Sequence, residues 1–153
     1  MHAGLGKDFV GTSNCLIAMK REVEAIGTNA HEMPMVYSAL ASDDAKLKIA
    51  PYNMLEDWQE EHDGNLRIIL PDTYGTKNFL DNAPPWLASW TGIRIDSGDP
   101  VESAEIVIQW WKKCGENPKD KLIIFSDGLD VDTISKLHSL FSHRAKVSFG
   151  WGT

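Results

Sequence analysis

From Thr91 to Pro100 the chain reads TGIRIDSGDP. Apolar positions at Ile93 and Ile95 give way to Asp96, Ser97, Gly98 and Asp99, then to a proline, and apolar residues return at helical spacing from Val101 to Cys114. A buried strand that stops in a tight polar turn and runs into a helix is the building unit of parallel α/β proteins. Their ligands collect at the carboxyl ends of the strands. This unit restricts the chain more than any bulk property, because it recurs along the whole length.

Phe9–Gly11 ends in Thr12, Ser13 and Asn14, a capping cluster for a helix over Cys15–Val23. Ala25–Gly27 ends in Thr28 and Asn29 before a helix from about Ala30 to Leu40, with Pro34 in its first turn, where proline is tolerated. The stretch 41–65 is less regular: Pro51 breaks it, and Tyr52, Leu55 and Trp58 mark a short amphipathic helix. Arg67–Leu70 is a third strand, closed by Pro71, Asp72 and Thr73, and Pro84-Pro85 interrupts the helix expected over Phe79–Trp90. After the Thr91 unit, Leu122–Phe125 ends in Ser126, Asp127 and Gly128, and Asp130 caps a helix with its stripe at Val131, Ile134, Leu137 and Phe141. Lys146–Phe149 ends in Gly150, Trp151, Gly152 and Thr153. The expectation is an α/β fold with about six parallel strands. A doubly wound sheet and part of a (β/α)8 barrel both fit. Polar turns after every strand favour the barrel, since a doubly wound sheet gathers its ligand groups at one switch point. A chain ending at a glycine turn suggests a segment of a longer protein.

The chain of 153 residues is 42% hydrophobic with a net charge of −7, so it can bury one ordinary core and lacks the basic balance of a nucleic-acid-binding surface. No apolar run reaches the ~20 residues of a membrane span, and the first ten residues lack the apolar core of a secretory signal. Cys15 and Cys114 form no paired motif, which fits free thiols in a reducing, cytoplasmic setting. Six tryptophans read as packing residues, with one of Trp110 and Trp111 facing a neighbouring domain or subunit.

Three groups of residues carry chemistry. Alternation along the strand puts Arg94 and Asp96 on one side; an arginine fork suits a carboxylate or phosphate, and the aspartate suits ribose hydroxyls or a Mg2+-bound phosphate. A structural ion pair is the plain alternative. The turns at Ser126-Asp127-Gly128 and Gly150–Thr153 can present backbone N–H groups to phosphate, or merely satisfy tight turns. His31 opens a helix, where the dipole favours an anion on the ring; it can serve as a base or carry a phosphoryl group, with Glu32 orienting it, or it can be structural. Asp72 belongs to the same ring of strand-end turns. His2, His62, His138 and His143 lack a partner pattern.

Five segments in order, Gly11–Asn14, Gly27–Glu32, Arg94–Pro100, Phe125–Asp130 and Ser148–Thr153, together resemble the nicotinate phosphoribosyltransferase family and span nearly the whole chain. The resemblance implies an irregular barrel of the type II phosphoribosyltransferase kind, with an N-terminal domain and the end of the barrel outside these residues. It implies transfer of phosphoribosyl from phosphoribosyl pyrophosphate to nicotinate, coupled to ATP hydrolysis and feeding NAD synthesis, in a cytoplasmic homodimer that uses Mg2+. By the same resemblance His31 is a phosphohistidine with Glu32 beside it, and Arg94 and Asp96 face base and ribose. Thr12, Ser13, Asp72, Ser97, Asp127, Gly128, Gly150, Gly152 and Thr153 contact substrate and phosphates, while the metal ligands stay open. A nicotinamide phosphoribosyltransferase shares the Arg-x-Asp-Ser-Gly turn. A non-catalytic phosphosugar-binding domain is the alternative outside enzymes.

Overall fold

A computed structural model of the chain describes residues 2–62 and 64–152; Thr153, expected to bind phosphate, lies outside them. Four strands form a parallel sheet in sequential order: β1 (Ile68–Ile69), β2 (Gly92–Ile95), β3 (Leu122–Phe125) and β4 (Lys146–Phe149). The registers Ile93↔Ile123↔Val147 and Ile95↔Phe125↔Phe149 put these residues on one face. There Ile93, Ile95, Ile123 and Phe125 are buried. Among the described residues seven α-helices accompany the sheet: α1 (His2–Leu5), α2 (Cys15–Arg21), α3 (Glu32–Ala39), α4 (Asp44–Glu61), α5 (Thr76–Asp81), α6 (Pro100–Lys113) and α7 (Val131–Phe141). The core joins the buried sheet face to Phe79, Leu80, Leu87, Ala104, Val107, Ile108, Trp111, Leu137 and Phe141.

The sequence explains where α6 and α7 begin. Asp99 accepts from the backbone N–H groups of Val101 and Glu102, and Pro100 occupies the first helical position, where no N–H is missed. Asp130 accepts from Thr133 N–H in the same way. At the opposite end of the sheet Lys121 is buried. Its ammonium is held by the carbonyls of Ala88 and Trp90 and by Glu116 at 2.9 Å, which supplies the partner a buried cation requires.

Three expectations change. The first two strand ends do not become strands: Thr12 and Ala25 share one isolated parallel bridge, so the sheet has four strands among the described residues rather than about six. That bridge has two backbone bonds, Thr12 N to Glu24 O and Ile26 N to Thr12 O, and its flanking apolar side chains Val10 and Ile26 remain exposed, so nothing packs a longer ladder there. Pro51 does not interrupt the chain but sits inside the continuous 18-residue helix α4; Ala50, Pro51, Met54 and Leu55 are all buried, so packing overrides the proline's lost hydrogen bond. Trp110 and Trp111 are both buried within the chain itself. The thiols of Cys15 and Cys114 are free and exposed. No helix among the described residues is long and apolar enough to cross a membrane.

Candidate active site

Because all four strands run the same way, the turns after them share one edge of the sheet, and the second sheet face delivers its side chains there. Arg94 is on that face, half-buried, and every nitrogen of its guanidinium is engaged. Nε donates to Ser126 Oγ at 2.8 Å, Nη1 to Thr28 Oγ1 at 3.1 Å and Nη2 to Asp96 Oδ2 at 2.7 Å. Guanidinium has five N–H donors, so these three bonds leave two for a ligand. Asp96 follows directly from the strand register: Ile95 pairs with Phe125, so Asp96 meets Ser126, whose hydroxyl donates to Asp96 Oδ1 at 2.5 Å.

His31 completes the cluster from the other half of the chain. Its Nε2 is 3.2 Å from Asp96 Oδ2 and its Nδ1 is 2.9 Å from Thr73 Oγ1. The residue stands at the N-cap position of α3 with helical backbone angles, and its side chain makes no capping bond. The imidazole is therefore turned away from its own helix and onto the sheet edge. Burial acts to push the Asp96 carboxyl up, but hydrogen bonds from Ser126 and Arg94, the Arg94 charge and the His31 bond together hold it below the ordinary carboxylate value.

Around this centre Ser97 donates to Asp72 Oδ2 at 2.5 Å, which joins the turns after β1 and β2. Asp72 Oδ1 is buried with no hydrogen-bond partner. Asp127 and Gly128 are exposed in the turn after β3, and Gly98 and Gly128 both have positive φ, the conformation that lets each turn reverse ahead of its helix. Gly150 closes onto the same edge, its N–H donating to Phe125 O, and Gly152 is exposed.

The structure thus brings His31, Arg94 and Asp96 into one network and sets Asp72 and Ser97 beside it. It does not bring in Glu32, which is exposed; Thr73 and Asp96, not Glu32, hold the His31 ring. Thr12 accepts from Asn14 N–H at 3.3 Å within its own turn and Ser13 is exposed; among the described residues no hydrogen bond ties either to the cluster. His62 packs against Trp58 with ring centroids 4.3 Å apart. Three hydroxyl residues take roles that the sequence does not assign them: Thr28 and Thr73 read only as turn and capping residues, and Ser126 as part of a phosphate-binding turn, yet they hold Arg94, His31 and Asp96.

Among the described residues no three His, Cys, Asp or Glu side chains converge as a metal cage. Mg2+ asks for less, since it retains waters and binds through substrate phosphates plus one or two carboxylates. Asp72, with its unpartnered buried oxygen, fits that demand.

A family model described as the nicotinate phosphoribosyltransferase (NAPRTase) family matches residues 2–153. The fold is similar to the crystal structure of nicotinate phosphoribosyltransferase from Porphyromonas gingivalis, with a TM-score of 0.87 and 36% identity, covering 94% of this chain and 36% of that one. It is similar also to the nicotinate phosphoribosyltransferase from Vibrio cholerae, with a TM-score of 0.84 and 39% identity, covering 94% of this chain and 33% of that one. The chain therefore spans about a third of the length of these solved relatives.

Proposed function

Since the chain belongs to the nicotinate phosphoribosyltransferase family, we propose that it contributes the catalytic edge of an enzyme that joins nicotinate to phosphoribosyl pyrophosphate, forming nicotinate mononucleotide and pyrophosphate with coupled ATP hydrolysis in NAD synthesis. One observation carries this reading: the His31–Asp96–Arg94 network stands at the carboxyl edge of a parallel sheet, with glycine turns beside it. The two uncommitted N–H groups of Arg94 suit the nicotinate carboxylate, which would prefer nicotinate over the neutral amide.

Transfer to the pyridine nitrogen passes through an oxocarbenium-like ribose carbon. The residues' part is to align nitrogen with that carbon and to receive negative charge as pyrophosphate departs. Asp96 faces the cationic side of this event. The turns at Asp127-Gly128 and Gly150 offer backbone N–H groups to phosphate. Mg2+ bound with the phosphates, with Asp72 as its protein ligand, would neutralise charge on the leaving group. His31 accepts the γ-phosphoryl group of ATP, with ADP as the leaving group, and returns it to water in each cycle. The sequential order of β1–β4, without the reversal of a doubly wound sheet, supports reading them as part of a (β/α)8 barrel. A cytoplasmic homodimer is the assembly this reading carries.

The test is His31→Ala against Arg94→Ala. His31→Ala is expected to abolish ATP stimulation while sparing ATP-independent transfer more than Arg94→Ala does. ATP stimulation that survives in His31→Ala would remove the phosphohistidine from the mechanism. Equal turnover of nicotinamide and nicotinate would remove Arg94 from the carboxylate site.

A further inference from the structure

The two nitrogens of His31 have chemically different partners, and the difference fixes the ring's proton. Asp96 is held in its ionised form by the bonds already described, and an ionised carboxylate can only accept. Nε2 of His31 must therefore carry the hydrogen that lies between them. In the neutral ring Nδ1 is then left as the lone pair, and its partner at 2.9 Å must donate; the hydroxyl of Thr73 can do so. Asp72, next to Thr73, accepts from Ser97 through Oδ2, and among the described residues no hydrogen bond joins its carboxylate to the ring.

We infer that Thr73 is a positioning residue for His31: with Asp96 on Nε2, its hydroxyl donates to the Nδ1 lone pair and holds the imidazole as the Nε2–H tautomer, so that Nδ1 is the nucleophile once that bond is released to a phosphoryl donor. The choice of residue type supports this. A carboxylate at the same place, the role expected for Glu32, would accept from Nδ1 as Asp96 accepts from Nε2. Two acceptors would favour a doubly protonated ring with no lone pair. A hydroxyl serves both states, donating to the neutral ring and accepting from the imidazolium. Thr73 is fixed for the task by its short 3-10 turn, Asp72–Tyr74, which follows buried β1 and Pro71. Its hydroxyl bridges residues 42 positions apart and ties α3 to the sheet edge.

This inference rests on the proposed function only where it gives the lone pair a use; the tautomer itself can be read without turnover. In the protein labelled with 15N-histidine, the His31 signals are assigned by their loss in His31→Ala and followed at alkaline pH. Nδ1 is expected as the unprotonated nitrogen. Its resonance should move to the position of a nitrogen without a hydrogen bond in Thr73→Val and return in Thr73→Ser. A protonated Nδ1 in the unaltered protein overturns the inference, and so does an Nδ1 resonance unmoved by Thr73→Val. With ATP and Mg2+ as the probe, phosphate uptake by His31 is expected to fall about fivefold to tenfold in Thr73→Val and to recover in Thr73→Ser. Uptake unchanged in Thr73→Val counts against Thr73. No uptake in the unaltered protein counts against the proposed function instead, and the nitrogen spectra then decide the inference alone.

Discussion

The two halves of this chain are written in the same pattern and end differently. From β1 onward, each apolar run is built into a ladder with its polar turn at one edge, and α5, α6 and α7 follow the first three strands; Trp111, Phe125, Phe141 and Ile123 are fully buried. Before β1, the same pattern makes a single bridge, and Val10, Leu16, Met19 and Leu40 are exposed, Leu40 to 79%. The difference teaches that a strand–turn–helix pattern is only a local preference. It becomes structure when a neighbouring strand and a covering helix remove both faces from water, which is the condition for a parallel ladder. Yet the site draws on both halves, because His31 and Thr28 come from the weakly built half and Arg94, Asp96, Thr73 and Ser126 from the strongly built one.

The largest expected effect tests that contrast directly. Phe125→Ala or Trp111→Ala should cost about 3–5 kcal/mol in denaturant unfolding, from lost transfer energy plus the cavity left behind. Leu40→Ala and Met19→Ala, at exposed positions, should stay within about 0.5 kcal/mol. A Leu40→Ala cost comparable to that of Phe125→Ala would mean that the amino-terminal half is packed against something in solution.

Arg94→Ala comes next, because it cuts the tie between the halves. It removes the bonds to Thr28, Ser126 and Asp96 and leaves part of Asp96's environment uncompensated. The expected loss is on the order of 2 kcal/mol. Amide exchange of Thr12 and Ile26, the two donors of the isolated bridge, should accelerate more than that of Ile123 or Phe125. Equal acceleration in all four would show that Arg94 supports the whole fold rather than the junction.

What could be read in advance follows the same division. The strands around Ile68, Ile93, Ile123 and Val147 were legible because each is a short apolar run bounded by turn residues. The starts of α6 and α7 were legible because Asp99 and Asp130 are capping residues. Alternation alone put Arg94 and Asp96 on one side. The illegible parts depend on partners distant in sequence. Thr28 gains its role from Arg94, 66 positions away, and Ser126 from the same arginine, 32 positions away. Glu32 looked like the orienting group for His31 because it is adjacent, whereas the fold supplies Thr73. Pro51 reads locally as a break, and only the burial of its face against the core shows why α4 continues through it.

Asp96 should also mark the junction in its pH dependence. Its carboxyl is more acidic in the folded protein than its ordinary value of 3.8, so the folded state binds fewer protons than the unfolded one. Its contribution to stability is fully present above that value and is lost as pH falls through the lower folded value. Asp96→Asn is therefore expected to lower stability at neutral pH and to flatten the acid limb of the stability curve below about 4. An acid limb of unchanged slope would assign that limb to other carboxylates, such as Glu105, which hydrogen-bonds with Arg144 and is likewise held low.

The smallest effect sharpens the comparison most cleanly, because it holds the chemistry constant. Asn14 caps α2 by accepting from Ile17 N–H at 3.0 Å, and Asp99 caps α6 by accepting from Val101 and Glu102 at 2.9 and 2.8 Å. Removing such a cap costs about 1 kcal/mol of helix stability. In α6 that helix is part of the buried core, with Ala104, Val107, Ile108 and Trp111 facing inward, so Asp99→Ala should appear in full in global unfolding. In α2 only Ala18 is buried, so the helix can fray while the rest of the chain stays folded. Asn14→Ala should then leave the global midpoint almost unmoved and appear as faster amide exchange confined to residues 15–21. If both substitutions lowered the midpoint equally, the two halves would unfold as one cooperative unit, and the His31 end of the site would share the full stability of the sheet that holds it.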